Sequence, residues 1–92
     1  MIEVKFSESY EKKAIKFFKK HKDIAPQYIK TIEILANNPY HPSLRLHKLQ
    51  GKLSKFSSVS INLKYRIVID FIMFDNEIIL IDIGSHDNAC RE

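Results

Sequence analysis

The chain begins with a short alternation of apolar and polar residues. Ile2, Val4 and Phe6 are apolar, and the residues between them, Glu3 and Lys5, are charged. A repeat of two matches the way side chains change sides along a strand. We therefore predict a half-buried strand over residues 2–6.

Two segments with helical spacing follow this strand. Ser7 is a favourable N-cap, and the acidic and basic side chains at the two ends of the next segment match a helix over about residues 8–21. Pro26 suits the first turn of a second helix, and Pro39 ends that helix because the residue before a proline is pushed out of helical geometry. The connection between the two predicted helices is short, which predicts that they pack as an antiparallel helix hairpin.

Each predicted helix has one apolar face. The inner positions are Tyr10, Ala14, Phe17, Phe18 and His21 in the first helix, and Ile24, Tyr28, Ile32, Leu35 and Ala36 in the second. The first helix also carries a lysine stripe, made of Lys12, Lys16, Lys19 and Lys20. We interpret that stripe as a solvated face.

The period of a strand returns in the second half of the chain. Residues 39–56 contain two prolines and a glycine, which predicts a structured loop with one short strand near residues 46–49. Alternation over residues 58–64 and the β-branched and aromatic run over 65–74 predict two further strands, and residues 77–84 predict a third. The tail from Ser85 is predicted to be a loop.

This order of elements predicts an α+β fold. An N-terminal strand, an antiparallel helix hairpin and three antiparallel strands would place the helices on one face of a mostly antiparallel sheet. Ninety-two residues make a single small domain, so we assign residues 1–92 to one domain. The other face of the sheet is expected to hold Ser60, Lys64 and Arg66, open to a ligand.

Charge is unevenly distributed along the chain. The composition is that of a globular protein, with 45% apolar residues and a net charge of +4. Residues 34–69, here called the basic segment, contain six lysines and arginines and no acidic residue. A polyanion such as RNA is the natural partner of such a surface.

Compartment and cofactors follow from what the sequence lacks. Its start has no secretory signal, no apolar run is long enough to span a membrane, and the lone Cys90 cannot form an internal disulfide, so we expect a cytoplasmic protein with no membrane partner. Two glycines cannot build a nucleotide-binding loop. No pair among His41, His47, His86, Asp87 and Cys90 has the spacing of a zinc motif, so we expect neither metal nor cofactor.

The basic segment and the tail together contain the groups that metal-free RNA cleavage requires. Attack by the 2′-OH of RNA needs a base, an acid for the departing oxygen and cations for the phosphorane. His47 and His86 could supply the acid and the base, because imidazole ordinarily titrates near neutral pH. Arg66 could bind phosphate oxygens through its planar fork. The RNA backbone could be held by Arg45, Lys48, Lys52 and Lys64.

Three motifs in this order resemble a known family. They are Pro-x-x-Pro-x-Leu-Arg-x-His-Lys-Leu-x-Gly over residues 39–51, Tyr65-Arg66 at the start of a long strand, and Ile-Gly-Ser-His-Asp over residues 83–87. Together they resemble the RelE/ParE superfamily of toxins from bacterial type II toxin–antitoxin modules, and more narrowly its RelE and YafQ branch, the ribosome-dependent mRNA interferases. The resemblance covers nearly the whole chain.

The resemblance implies a microbial-ribonuclease-like fold, cleavage of mRNA in the ribosomal A site and inhibition by a cognate antitoxin. His47 and His86 match two catalytic histidines of YafQ-like toxins, and Arg66 matches the strand arginine that stabilises the transition state in RelE-like toxins. Lys48 and Lys52 fall where RelE-like toxins place catalytic or phosphate-binding lysines. At position 90, where the family commonly has an aromatic residue that stacks on or orients the substrate, this chain has a cysteine.

Two other functions are compatible with the sequence. A ParE-like DNA gyrase inhibitor would share the fold but would need no proton transfer, so the paired histidines favour the nuclease. The cysteine at position 90 fits a catalytically weakened toxin that serves as a binding module. In each case we expect an acidic, partly disordered antitoxin to cover the basic segment.

Overall fold

Two helices lie on one face of a five-stranded sheet in this structure, a computed structural model that describes residues 2–72 and 76–85. The strands are β1 (Glu3–Phe6), β2 (His47–Lys48), β3 (Ser57–Ser60), β4 (Tyr65–Ile72) and β5 (Glu77–Ser85), and the helices are α1 (Glu8–Lys20) and α2 (Ala25–Asn37). Short 3₁₀ turns span Lys22–Ile24, Pro42–Leu44 and Gly51–Leu53. The predicted α+β fold is confirmed.

The sheet is mixed, with strand order β1-β5-β4-β3-β2. β1 pairs in parallel with β5, and every other pairing among the described strands is antiparallel. Both helices and the other three strands lie between β1 and β5 along the chain, and a parallel pair needs such a long connection. β1 and β2 are therefore the outer strands.

Local signals at the helix ends have their expected effects. The Ser7 hydroxyl accepts a hydrogen bond from the Tyr10 backbone N–H at 3.2 Å, which caps α1. α2 has a proline in its first turn and ends at Asn37, where the next residue is extended. The two helices meet through Tyr28, whose ring lies 4.9 Å from that of Phe18 and whose hydroxyl is 2.9 Å from the Tyr10 hydroxyl.

The main core lies between the helices and the sheet. Its buried members are Tyr10, Leu35, Leu44, Val59, Ile67, Ile69, Ile78, Leu80 and Ile83. Because side chains alternate along β4, Ile67 and Ile69 face the helices, whereas Val68 faces the other way. Burial raises the pKa of Tyr10 well above its usual range, and its hydrogen bond with Tyr28 adds to the effect.

A second, smaller cluster covers part of the opposite face. Leu49 and Val68 are buried there, with Leu53, Phe56 and Ile81 packed against them. The segment that follows β2 thus folds back over the sheet. The expectation of an open face is wrong along this stretch.

The β3–β4 connection differs from the prediction. β3 ends at Ser60, and residues 61–64 form a turn in which the Asn62 side-chain oxygen accepts from the backbone N–H groups of Lys64 at 2.8 Å and Tyr65 at 2.9 Å. This side-chain cap closes the turn without glycine. Lys64 therefore lies in a loop facing α1 and does not share a sheet face with Arg66, as we had expected.

β5 and the turn that precedes it lie close to their predicted positions. β5 continues through Ser85, one residue into the segment predicted to be a loop. The predicted turn at Asp75-Asn76 lies partly outside the described residues, but Asn76 has the expected positive φ of 54°. None of the helices in the described part of the chain combines the length and apolar character needed to cross a bilayer.

Candidate functional site

His47 and Arg66 meet on the sheet face opposite the helices. A guanidinium nitrogen of Arg66 lies 3.3 Å from His47 Nε2, although the two residues are nineteen positions apart in the chain. Ser58 joins them, with its Oγ 3.2 Å from His47 Nε2 and 3.4 Å from the same guanidinium nitrogen. We call these three residues the His47–Arg66 site.

The partners of His47 determine which of its ring nitrogens holds the proton. Its Nδ1 lies 3.0 Å from the carbonyl oxygen of Arg45, and a carbonyl can only accept, so Nδ1 carries the hydrogen. A guanidinium can only donate, so Nε2 must present its lone pair to Arg66. An imidazole nitrogen that accepts a hydrogen bond in this way is the kind of group that can act as a general base.

Arg66 is held in place by its surroundings. It is 8% exposed, and its neighbours in the sheet are Ser60 on β3 and Gly84 on β5. The absence of a side chain at Gly84 leaves room beside the guanidinium. The expectation that Arg66 is open to a ligand is wrong: its side chain is largely buried, and exposed His47 lies next to it.

The loop before β2 aims the His47 ring. Arg45 has left-handed backbone geometry, with φ 49° and ψ 46°, a conformation that costs a non-glycine residue about 1–2 kcal/mol. This bend ends the 3₁₀ turn and brings the Arg45 carbonyl to His47 Nδ1. Buried Leu44 on one side and Leu49 on the other anchor the bend in the two apolar clusters.

The remaining site residues from the sequence analysis fall in three places. Lys48 is exposed beside His47 in β2, and Lys52 is exposed in the following 3₁₀ turn. Lys64 lies on the helix side of the sheet. His86 and Cys90 lie outside the described residues. The structure therefore brings together two of the three predicted catalytic residues, and the third is not described.

Sequence reasoning missed Ser58. Its hydroxyl is in contact with both His47 and Arg66, and the residue is only 1% exposed. The signal was present, because alternation that puts Val59 in the main core puts Ser58 on the opposite face with Arg66. What the sequence could not give is the strand register, which pairs Ser58 with both His47 and Val68.

His41, one of the residues weighed as a metal ligand from the sequence, caps a local turn. Its Nδ1 lies 2.9 Å from the Ser43 hydroxyl and 3.1 Å from the Ser43 backbone nitrogen. Within residues 2–72 and 76–85, no three His, Cys, Asp or Glu side chains are grouped so that they could hold a metal ion.

Comparison with solved structures places this fold among bacterial toxins. The chain is similar to YafQ from E. coli strain BL21(DE3) (TM-score 0.74, 15% identity, 94% of each chain covered). It is also similar to a metal-bound toxin from Helicobacter pylori (TM-score 0.75, 24% identity, 94% of this chain and 96% of that chain). A third similar structure is a chain of the E. coli DinJ-YafQ toxin-antitoxin complex (TM-score 0.72, 17% identity, 92% of each chain covered).

Sequence comparison alone does not find these relationships. No protein-family model matches the chain, and a search of curated proteins found no significant match. The resemblance expected from the motifs is confirmed at the level of the fold, over nearly the whole chain. The chain has the RelE/YafQ-like toxin fold, and its structural neighbours are toxins of toxin–antitoxin systems.

Proposed function

We propose that this protein is the toxin of a type II toxin–antitoxin module and that it is a metal-independent endoribonuclease that cleaves mRNA in the ribosomal A site. The observation that carries the proposal is the contact between His47 Nε2 and the Arg66 guanidinium at 3.3 Å. It joins a proton acceptor to a phosphate-binding cation in one site. The similarity to the toxin fold supports the biological setting.

The proposed reaction is an internal transfer at phosphorus. His47 Nε2 takes the proton of the RNA 2′-OH, the 2′ oxygen bonds to phosphorus, and the bond from phosphorus to the 5′ oxygen breaks. The products are a 2′,3′-cyclic phosphate and a 5′-hydroxyl. The hydrogen bonds of His47, with Nδ1 next to a carbonyl and Nε2 next to a guanidinium, support its proposed role as the base.

Arg66 is proposed to stabilise the phosphorane. Its guanidinium can exchange its hydrogen bond with His47 for two bonds to phosphate oxygens, a stronger and charge-assisted arrangement. This exchange frees Nε2 for the 2′-OH. Phosphate binding and activation of the base would therefore occur together.

His86 is proposed to be the acid that protonates the departing 5′ oxygen. In the sequence it directly follows Ser85, whose backbone pairs with Tyr65, the residue before Arg66. Exposed Arg45, Lys48 and Lys52 are proposed to contact the RNA backbone, and position 90 to orient the substrate.

The proposed partners are ribosome-bound mRNA and a cognate antitoxin, and the proposed compartment is the cytoplasm, where both occur. The basic segment contains six lysines and arginines and no acidic residue, which favours an acidic antitoxin. Such an antitoxin would block the His47–Arg66 site by covering it.

The proposal can be tested by inducing the protein in bacteria and mapping mRNA ends. His47→Gln and Arg66→Lys should each reduce cleavage strongly, because removing a general base alone usually costs about 10²–10⁴-fold in rate. His41→Gln is the matched control, since His41 is exposed and contacts Ser43 outside the site. Circular dichroism checks that each variant folds.

Three results would contradict the proposal. If both site variants fold and cleave mRNA as the wild type does, the His47–Arg66 site is not catalytic. If induction leaves translation intact and instead causes DNA damage, the protein is a ParE-like gyrase inhibitor. Binding of antitoxin without any toxicity would indicate a binding module.

A further inference from the structure

A groove lies between α1 and the adjoining ends of β4 and β5, on the helix side of the sheet. Its volume is about 480 Å³, and we call it the α1 groove. Four lysines line it: Lys13, Lys16 and Lys20 from α1, and Lys64 from the β3–β4 turn. Lys64 thus supplies positive charge from the wall opposite the helix.

The positive charge of the α1 groove is largely uncompensated. Asp82 is the one acidic residue among the described lining residues, and its carboxylate lies 3.8 Å from Lys13 Nζ. Within the described part of the chain, Lys16, Lys20 and Lys64 have no carboxylate at ion-pair distance. Among the residues that the structure describes, three ammonium groups of the groove are therefore without an acidic partner.

Aromatic rings in mutual contact form one wall of the α1 groove. The Phe17, His21 and Tyr65 rings lie 4.6–5.1 Å apart, centre to centre. The Tyr65 hydroxyl lies 3.2 Å from His21 Nδ1, and Lys64 Nζ lies 5.5 Å from the centre of the Tyr65 ring. These contacts fix the spacing between α1 and the strand end.

The four lysines of the predicted stripe are all exposed, as expected of a solvated face. Lys16 and Lys20 also line the α1 groove, whereas Lys12 and Lys19 do not. A helix turns once every 3.6 residues, so Lys13, Lys16 and Lys20 form one row along the groove. A row of cations suits a linear polyanion.

We propose that the α1 groove binds the phosphodiester backbone of an RNA strand, at a site separate from the His47–Arg66 site. Tyr65 lines the groove and Arg66, the next residue, belongs to the other site, so the two sites lie on opposite faces of one strand end. An RNA strand bound at one site can continue around this end to the other. The choice of RNA over an acidic peptide rests on the proposed function, but binding in the groove does not require cleavage.

The test measures binding of a short 2′-O-methylated RNA oligonucleotide, which cannot be cut because its 2′ oxygen is blocked. Fluorescence anisotropy compares the wild type with K16Q/K20Q, and K12Q/K19Q is the matched control with the same change of charge on the same helix. We expect K16Q/K20Q to weaken binding by about tenfold and to reduce the slope of log affinity against log salt by about 1.4, or about 0.7 per lysine. The control should stay close to the wild type.

Equal losses in the two double variants, or no loss in either, would overturn the proposal. Polyglutamate serves as a second probe: if it binds as tightly as RNA and loses the same factor in K16Q/K20Q, the groove is a peptide site instead. His47→Gln should retain the groove-dependent binding, so failure of cleavage is distinguishable from failure of the groove. Co-sedimentation with ribosomes, with and without bound mRNA, shows whether the strand bound in the α1 groove belongs to ribosomal RNA or to the mRNA.

Discussion

At the scale of single residues, the proposed mechanism depends on the His47 imidazole, whose two ring nitrogens face a hydrogen-bond acceptor and a hydrogen-bond donor. Nδ1 of His47 faces a carbonyl that can only accept, and Nε2 faces a guanidinium that can only donate. Ser58 can complete the arrangement by accepting from Arg66 and donating to Nε2. This arrangement is the one that the proposed role of His47 as base requires before substrate binds.

This arrangement predicts the tautomer of His47 in solution. We expect nitrogen-15 NMR at neutral pH to show the hydrogen on Nδ1 and an unprotonated Nε2. Labelled His41→Gln protein would help to assign the signals, because it removes one of the four histidines. A hydrogen on Nε2 of His47 would contradict the proposed role of base.

Ser58 is predicted to act as a positioning residue. Ser58→Ala should lower the cleavage rate about tenfold and cost about 1–3 kcal/mol, because a buried guanidinium loses a hydrogen-bond partner. Ser60→Ala is the control, since Ser60 lies on the same strand but lines a cleft with Gln27 and Thr31 of α2. Single-turnover kinetics and urea denaturation measure the two effects. Equal rates for the two variants would exclude the positioning role.

At the scale of elements, β2 depends on the small apolar cluster for its position. The strand has only two residues, His47 and Lys48, and the hydrogen bond from Leu49 N–H to the Phe56 carbonyl at 3.1 Å follows directly after it. So short a strand has little stability of its own. Packing of Leu49 against Val68 therefore determines where His47 lies.

Leu49→Ala is predicted to reduce activity through the placement of β2. Removing this buried side chain should cost about 2–5 kcal/mol and move His47 away from Arg66. Ile29→Ala, at a 57% exposed apolar position on α2, should change neither stability nor rate appreciably. The measurements are urea denaturation and cleavage rate below the unfolding transition. A destabilised Leu49→Ala variant that retains the full rate would contradict the account.

The contact between the helices predicts a loss of stability at alkaline pH. Because burial raises the pKa of Tyr10, the unfolded chain releases this proton first as the pH rises. The free energy of unfolding should therefore be insensitive to this group below about pH 10, the ordinary tyrosine pKa, and fall above it. Tyr10→Phe should reduce that fall and cost about 1 kcal/mol at neutral pH through loss of the 2.9 Å hydrogen bond with Tyr28. An undiminished alkaline fall in the variant, measured by urea denaturation, would contradict this.

Hydrophobic periodicity predicted the helices and the long strands well, because each of them has a clear apolar face. The helix hairpin and the long strands follow from spacing and from capping residues such as Ser7. The end of β3 could not be predicted, since it depends on the Asn62 side chain, which also donates to Gln27 on α2 at 2.7 Å. Likewise, the fold-back of Leu49 and Phe56 depends on packing against β4, which is remote in sequence.

At the scale of the whole molecule, one end of the sheet carries a proposed site on each face. His47 and Arg66 occupy the face opposite the helices, and the α1 groove occupies the helix side. His47 and Arg66 were named as candidate site residues from residue types and motifs, and the structure brings them together. The sequence could not predict that Lys64 joins α1 rather than this pair, because that depends on the turn after Ser60.

The most direct test of the central claim is the single-turnover cleavage of ribosome-bound mRNA, with chemical analysis of the new 3′ ends. The account predicts that the wild type leaves 2′,3′-cyclic phosphates and that His47→Gln slows cleavage by about 10²-fold or more, with His41→Gln unchanged. Cleavage by His47→Gln at the wild-type rate, or 3′-hydroxyl ends from the wild type, would contradict the claim that His47 removes the 2′-OH proton.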